Sequence, residues 1–221
     1  MRGGGSAAPD DDEELVIRYE TARLVGRELV QRVMSGTLTR EAIQAAASLI
    51  GGLVDDVIVL SDEDAPTALF DLALHEMRVD GRTAVEAHLA RTRGLSGLER
   101  EILRGAAVSR TSLYRVAGTS WPRVRLEDLL DGRGGDVELV DRAMSATAPA
   151  GTLVFTRVYP IEDFHMTSGM HYAFPREMRR MLLRRYPILE RAAPSDDPSV
   201  RRFVALQRLG ADHGLEVRYR D

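Results

Sequence analysis

The residues best suited to chemistry lie in the stretch Asp163-Phe164-His165-Met166-Thr167-Ser168-Gly169-Met170-His171-Tyr172-Ala173-Phe174. Read as a β-hairpin with Thr167–Gly169 as a three-residue loop, it sets Met166 opposite Met170 and His165 opposite His171. Strand side chains alternate, so Phe164, Met166, Met170, Tyr172 and Phe174 share one face while Asp163, His165 and His171 share the other. Opposed residues bring their Cβ atoms to about 5 Å. Two imidazoles and a carboxylate at that spacing could hold a divalent metal such as zinc, iron or manganese and support metal-dependent hydrolysis. A hairpin with an apolar inner face, on whose outer face histidine happens to sit, accounts for the same pattern and is the preferred reading.

Two further groupings carry charge at useful spacings. Arg176, Arg180 and Arg184, with Arg179 and Arg185, decorate a helix expected at Pro175–Tyr186; the i, i+4 spacing makes an arginine ridge beside a Met178/Met181/Leu182 core stripe. Such a ridge suits a phosphate backbone, or an acidic protein surface. Asp71 and His75 lie one helical turn apart, with Glu76 adjacent and His88 on the next helix, which is half a metal site at most. A helix surface pair is the preferred reading there.

Composition removes several chemistries. The 221 residues include no Cys, so disulfides, thiol catalysis and Cys-ligated zinc are excluded. All 30 basic residues are Arg, which excludes Schiff-base lysine and a Walker-type lysine. Asn is missing as well. Lys and Asn share AA-beginning codons, so a GC-rich bacterial genome explains both absences and inflates Arg throughout. Serines stand near Arg but near no evident base, and no cofactor-binding motif occurs. No apolar run reaches the roughly 18 residues that span a bilayer, and the opening MRGGGSAAPDDDEE has no apolar h-region. A cytoplasmic protein is expected. Residues 1–107 carry 19 acids against 12 arginines, and residues 108–221 carry 15 against 18, so the halves are oppositely charged within a net charge of -4.

The elements that must position these groups follow from periodicity. After a disordered lead-in at 1–9, Leu15, Val16, Tyr19, Leu24, Val25, Leu29, Val30 and Val33 repeat at a helical period, and further helices follow up to residue 107. Ser96-x-x-Glu99 is a capping box. Leu53–Leu60 suits either strand or helix, with a continued helix slightly favoured by its neighbours. Beyond Val108 come five short β-branched or aromatic runs: Ser112–Ala117, Val124–Leu126, Asp136–Val140, Thr152–Tyr159 and Phe164–Phe174. They predict a small antiparallel barrel or curled sheet over 108–174. Helices return over 175–221, with Pro187 ending or kinking the first. Leu215–Tyr219 reads as a terminal strand. The fold class expected is α+β: N-terminal helical bundle, small barrel, C-terminal helices packed on it.

From Leu95 onward, Leu95-Ser96-Gly97-Leu98-Glu99-Arg100 precedes Ser112-Leu113-Tyr114-Arg115-Val116. Val124–Gly132, Gly151-Thr152-Leu153-Val154, Arg157-Val158 and a Ser168-Gly169 turn follow. This pattern resembles an uncharacterised bacterial module, a helical segment followed by a small β-barrel, that also occurs in proteins carrying a SEC-C metal-binding motif. The resemblance covers about residues 68–175 and implies a fold only. SEC-C motifs need Cys, so no metal site is implied here.

The expected function is a non-catalytic binding or accessory protein that recognises a protein partner through the barrel or the arginine-bearing helix. Nucleic-acid binding through the Arg176/Arg180/Arg184 ridge ranks second. Metal-dependent hydrolysis at Asp163/His165/His171 ranks third.

Overall fold

The acidic start and the helical period of the first segment produce α1 (Pro9–Gly36), followed by α2 (Arg40–Leu49), which Thr39 caps by accepting from the Ala42 backbone N–H. In the computed structural model, which describes residues 9–60, 64–131 and 136–215, Leu53–Leu60 is no helix. It forms a hairpin of β1 (Leu53–Val54) and β2 (Val57–Ile58). Asp55 and Asp56 both take positive φ between the strands, as a tight two-residue hairpin turn requires. Of the two readings the sequence left open, strand is the one formed, because that turn chemistry outweighed the neighbouring helices. Three helices follow: α3 (Ala65–His75), α4 (Ala84–Arg91) and α5 (Gly97–Ala107). Ser96 and Glu99 form the expected capping box at α5, and Thr83 and Glu86 form another at α4.

The β-branched runs form β3 (Arg110–Ser120), β4 (Arg123–Asp128), β5 (Asp136–Val140), β6 (Leu153–Ile161) and β7 (Phe164–Phe174). A short helix, α6 (Arg142–Thr147), lies between β5 and β6. The five strands close into a barrel in the order β3-β4-β5-β7-β6. Counted from β3, that is 1-2-3-5-4 and back to 1, with a helix between the third and fourth strands. This is the Greek-key order of the OB barrel. Four of the five strand pairs are antiparallel. The fifth, β5 with β7, is parallel and rests on one register pair, Leu139 with His165, so the barrel is mixed rather than purely antiparallel. Two helices follow among the described residues: α7 (Arg179–Ala192) and α8 (Pro198–His213). Helix α7 runs through Pro187 instead of stopping there. Leu215 bridges Ala173 of β7; the rest of the expected terminal strand and the lead-in at 1–8 lie outside the described residues.

Alternation on β6 divides the core. Val154 and Val158 turn inward with Tyr114, Val116, Val124, Leu126 and Leu139 to fill the barrel. On the outer wall, Leu153 and Phe155 meet α2, α3, α7 and α8, with Phe155 stacked on Tyr172 at 5.8 Å and edge-on to Phe203. Further along the same wall, Tyr159, Ile161, Phe164 and Met166 meet α1, α4 and α5. Each such buried side chain contributes about 1.5–3 kcal/mol relative to exposure. Helix α5 lies against β6 so closely that a Cβ at Gly105 would stand 2.0 Å from the Pro160 carbonyl oxygen. Helix α3 belongs to both outer layers, through Leu69 and Leu72 on one side and Leu74 on the other. Its polar residues are therefore forced toward the barrel wall.

Candidate functional site

Where α3 meets the wall, an arginine is sealed in. Arg157 of β6 is 1% exposed and points outward from the barrel, into the layer of helices. Its Nε donates to Asp71 Oδ1 at 2.7 Å, Nη2 to Glu76 Oε1 at 2.7 Å, and Nη1 to Ser109 Oγ at 3.2 Å. Burial pushes Asp71 up, but Arg157, His75 and Ser168 outweigh it and leave the carboxyl below its usual range. At Glu76 burial dominates the Arg157 attraction, so its pKa is raised. Burial, and then the Arg157 charge, lower His75 to about 4, which keeps the imidazole neutral at physiological pH. Asp71 and His75 are thus no surface pair, as sequence spacing had suggested. They belong to a buried centre.

Asp71, His75 and Ser168 are the residue types of a nucleophilic triad, but the bonds run in another order. Ser168 Oγ accepts from the Met170 backbone N–H at 3.3 Å, and His75 Nδ1 is buried with no hydrogen-bond partner, so the imidazole does not reach the hydroxyl. Ser109 donates its own proton to the Ala106 carbonyl oxygen at 2.6 Å. The arrangement fastens helices to the barrel.

The expected hairpin at 164–174 is not formed. β7 is one continuous strand, and Thr167–Gly169 is a bulge within it: Thr156 pairs with His171 and Val158 with Thr167, so Ser168, Gly169 and Met170 stand against Arg157 alone. The two extra residues preserve side-chain parity. Phe164, Met166, Met170, Tyr172 and Phe174 are all buried, as the alternation requires, although the turn is absent. His165 pairs with Pro160 and His171 with Thr156, so the two stand four β6 steps apart along one strand, about 13 Å at the usual rise. His165 Nδ1 meets the Glu138 carbonyl oxygen at 3.2 Å, His171 Nδ1 meets that of Gly169 at 3.2 Å, and Asp163 pairs with Arg18 of α1. Asp163, His165 and His171 are thus not brought together as one ligand set. Among the described residues no group of three or more His, Asp or Glu side chains is arranged to hold a metal ion.

Of the arginine ridge, Arg176 lies in a 3-10 turn (Arg176–Met178) ahead of α7, and Arg179, Arg180, Arg184 and Arg185 lie on α7 itself. Arg179, Arg180 and Arg184 are exposed and make no ion pair among the described residues. Arg176 pairs with Glu177, and Arg185 reaches Asp212 at 3.9 Å and His213 Nε2 at 2.7 Å.

A larger recess lies at the barrel rim. Tyr19, Arg23 and Arg27 of α1, Trp121 of the β3–β4 turn, Arg142 of α6 and His171 of β7 line a groove of about 800 Å³. Trp121 is 48% exposed. The Arg23 guanidinium stands 5.7 Å from the centre of the Tyr19 ring, Arg142 pairs with Glu20, and Arg27 has no acidic partner among the described residues. His171 and Met144 also border a mainly apolar hollow of about 450 Å³ with Val154, Phe174 and Pro175. Sequence reading missed this groove because its residues come from four separate elements; the sole Trp, placed in a Ser-Trp-Pro turn, was the available signal.

The usual ligand face of an OB barrel comprises its second and third strands and the 1–2 and 4–5 loops. Here the strand part of that face and the 4–5 loop are self-paired, while the 1–2 loop carries the half-exposed Trp121. Arg123 binds Asp12 of α1 and Glu138, Arg125 pairs with Asp136, and in the 4–5 loop Glu162 and Asp163 bind Arg18. No helix of the described residues is long and apolar enough to cross a membrane.

The sequence profile of a family of unknown function, DUF7986, matches residues 13–220. No curated protein and no solved structure matches the chain.

Proposed function

Because the chain belongs to this family of unknown function, we propose a function from side-chain geometry: it is a non-catalytic binding protein whose barrel recognises a protein partner. The observation that carries the proposal is the half-exposed Trp121 set in one groove with Arg23, Arg27 and Arg142. Trp, Tyr and Arg are the residues that dominate binding energy at protein interfaces. The adjoining hollow receives an apolar side chain, and Arg27 receives a carboxylate beside it. Exposed Ile17 and Leu24 on α1 extend the apolar surface.

Local charge argues against a nucleic-acid strand in this groove. Arg142 is paired with Glu20, which leaves Arg23 and Arg27 as the cations of the groove without an acidic partner among the described residues, and affinity for a phosphate backbone depends on more uncompensated cations than that. Purification of the protein with its partner from the native host, in the presence of nuclease, tests the reading. Trp121→Ala should lower partner recovery by about 30-fold, the equivalent of about 2 kcal/mol. Equal recovery with the variant would overturn it.

A second reading rests on the unpaired Arg179, Arg180 and Arg184. These support nucleic-acid binding on the outer face of α7, with a steep loss of affinity between low and moderate salt. Nuclease-sensitive recovery that is lost when these three residues become Ala, but kept in Trp121→Ala, selects this reading over the first.

A further inference from the structure

The β7 bulge has two sides. Thr167 and Gly169 face the groove, while Ser168 and Met170 line a separate chamber of about 150 Å³ between α1, α3, α5 and the barrel wall. Most of its lining is apolar, including Leu29, Val33, Ile102 and Leu103. Two features mark the chamber as built. His75 borders it with a neutral imidazole whose buried Nδ1 lacks a partner. Gly26, buried in the middle of a 28-residue helix, borders it as well, and a Cβ there would meet nothing within 4 Å. Glycine costs a helix stability relative to alanine, and at this position its smallness keeps space open.

We propose that the chamber is a binding site for a small, neutral, ring-sized molecule carrying a hydroxyl, with the ring among the apolar side chains and the hydroxyl on His75 Nδ1. A cavity of about this volume accepts one benzene ring. A hydroxyl satisfies either tautomer of the imidazole, since it both donates and accepts. Anions are disfavoured because the lining is mostly apolar and holds no arginine, Arg157 being engaged by Asp71 and Glu76. This site is independent of the partner groove.

Phenol and benzene are suitable probes, titrated into the full chain and followed by amide chemical shifts. Phenol should bind about tenfold more tightly than benzene, the equivalent of one hydrogen bond. His75→Leu should remove that preference and leave benzene binding within about twofold. Gly26→Leu should abolish binding of both while the far-ultraviolet circular dichroism stays native. Equal affinities for the two probes in the native chain, no saturable shifts around residues 26, 75 and 168, or undiminished binding to Gly26→Leu would each overturn the proposal. The comparison of probes on the native chain needs no variant to fold.

Discussion

Arg157 and Arg184 are the same side chain in opposite surroundings. Arg157 is sealed between a strand and a helix with every guanidinium nitrogen bonded; Arg184 stands on the outer face of α7 with no acid beside it among the described residues. Burial costs an ion several kcal/mol, and only complete pairing offsets it. The buried arginine is therefore committed to structure, while the exposed one is available for recognition. The number of arginines says little; their partners decide what each can do.

The sharpest break of that contrast is Arg157→Ala. It leaves Asp71 and Glu76 buried without a cation and should destabilise the fold by about 3–5 kcal/mol, read from urea unfolding. Replacing Arg157, Asp71 and Glu76 together by Met, Leu and Leu should recover most of that loss.

Next in size is a pH effect at the same centre. His75 has a folded pKa of about 4 against 6.5 for the free side chain, so between those values the unfolded chain binds the extra proton. Stability should be full above pH 6.5 and fall by up to about 3 kcal/mol as pH drops to 4. Glu76, whose pKa is raised, opposes this slightly by gaining stability as it protonates, whereas Asp71, whose pKa is depressed, adds a further loss below its ordinary range. A His75→Leu chain should lack the pH 6.5-to-4 component.

Gly26→Ala should raise stability by about 0.5–1 kcal/mol, because helix propensity improves and nothing clashes. The smallest change is expected on the ridge. Arg179→Ala, Arg180→Ala and Arg184→Ala should each move unfolding by no more than about 0.5 kcal/mol, and any effect they have should be on binding.

Much of the architecture was legible. Five alternating runs gave five barrel strands, and Ser96 with Glu99 announced α5 correctly. The strand at 164–174 was legible in its facing but not in its path: Ser168-Gly169 has the composition of a turn, and a bulge with two extra residues leaves the same alternation as a hairpin. The buried centre left a fainter trace. Asp71 and His75 lie in Leu69-Phe70-Asp71-Leu72-Ala73-Leu74-His75, a helix apolar on nearly every side, where polar groups have little surface to reach. Arg157 interrupts the apolar outer face of β6 in the same way. Their meeting joins residues 86 apart, which no local period encodes. The rim groove was illegible for that reason too.

The parallel contact between β5 and β7 has a mechanical consequence. Four strand pairs are zipped along several residues, whereas this one holds by Leu139 and His165, reinforced by the His165 imidazole on the Glu138 carbonyl oxygen. Under thermal strain the cylinder should split along that line first, so amide protons at 137–140 and 164–166 should trade with deuterium ahead of those shared by β3 and β6.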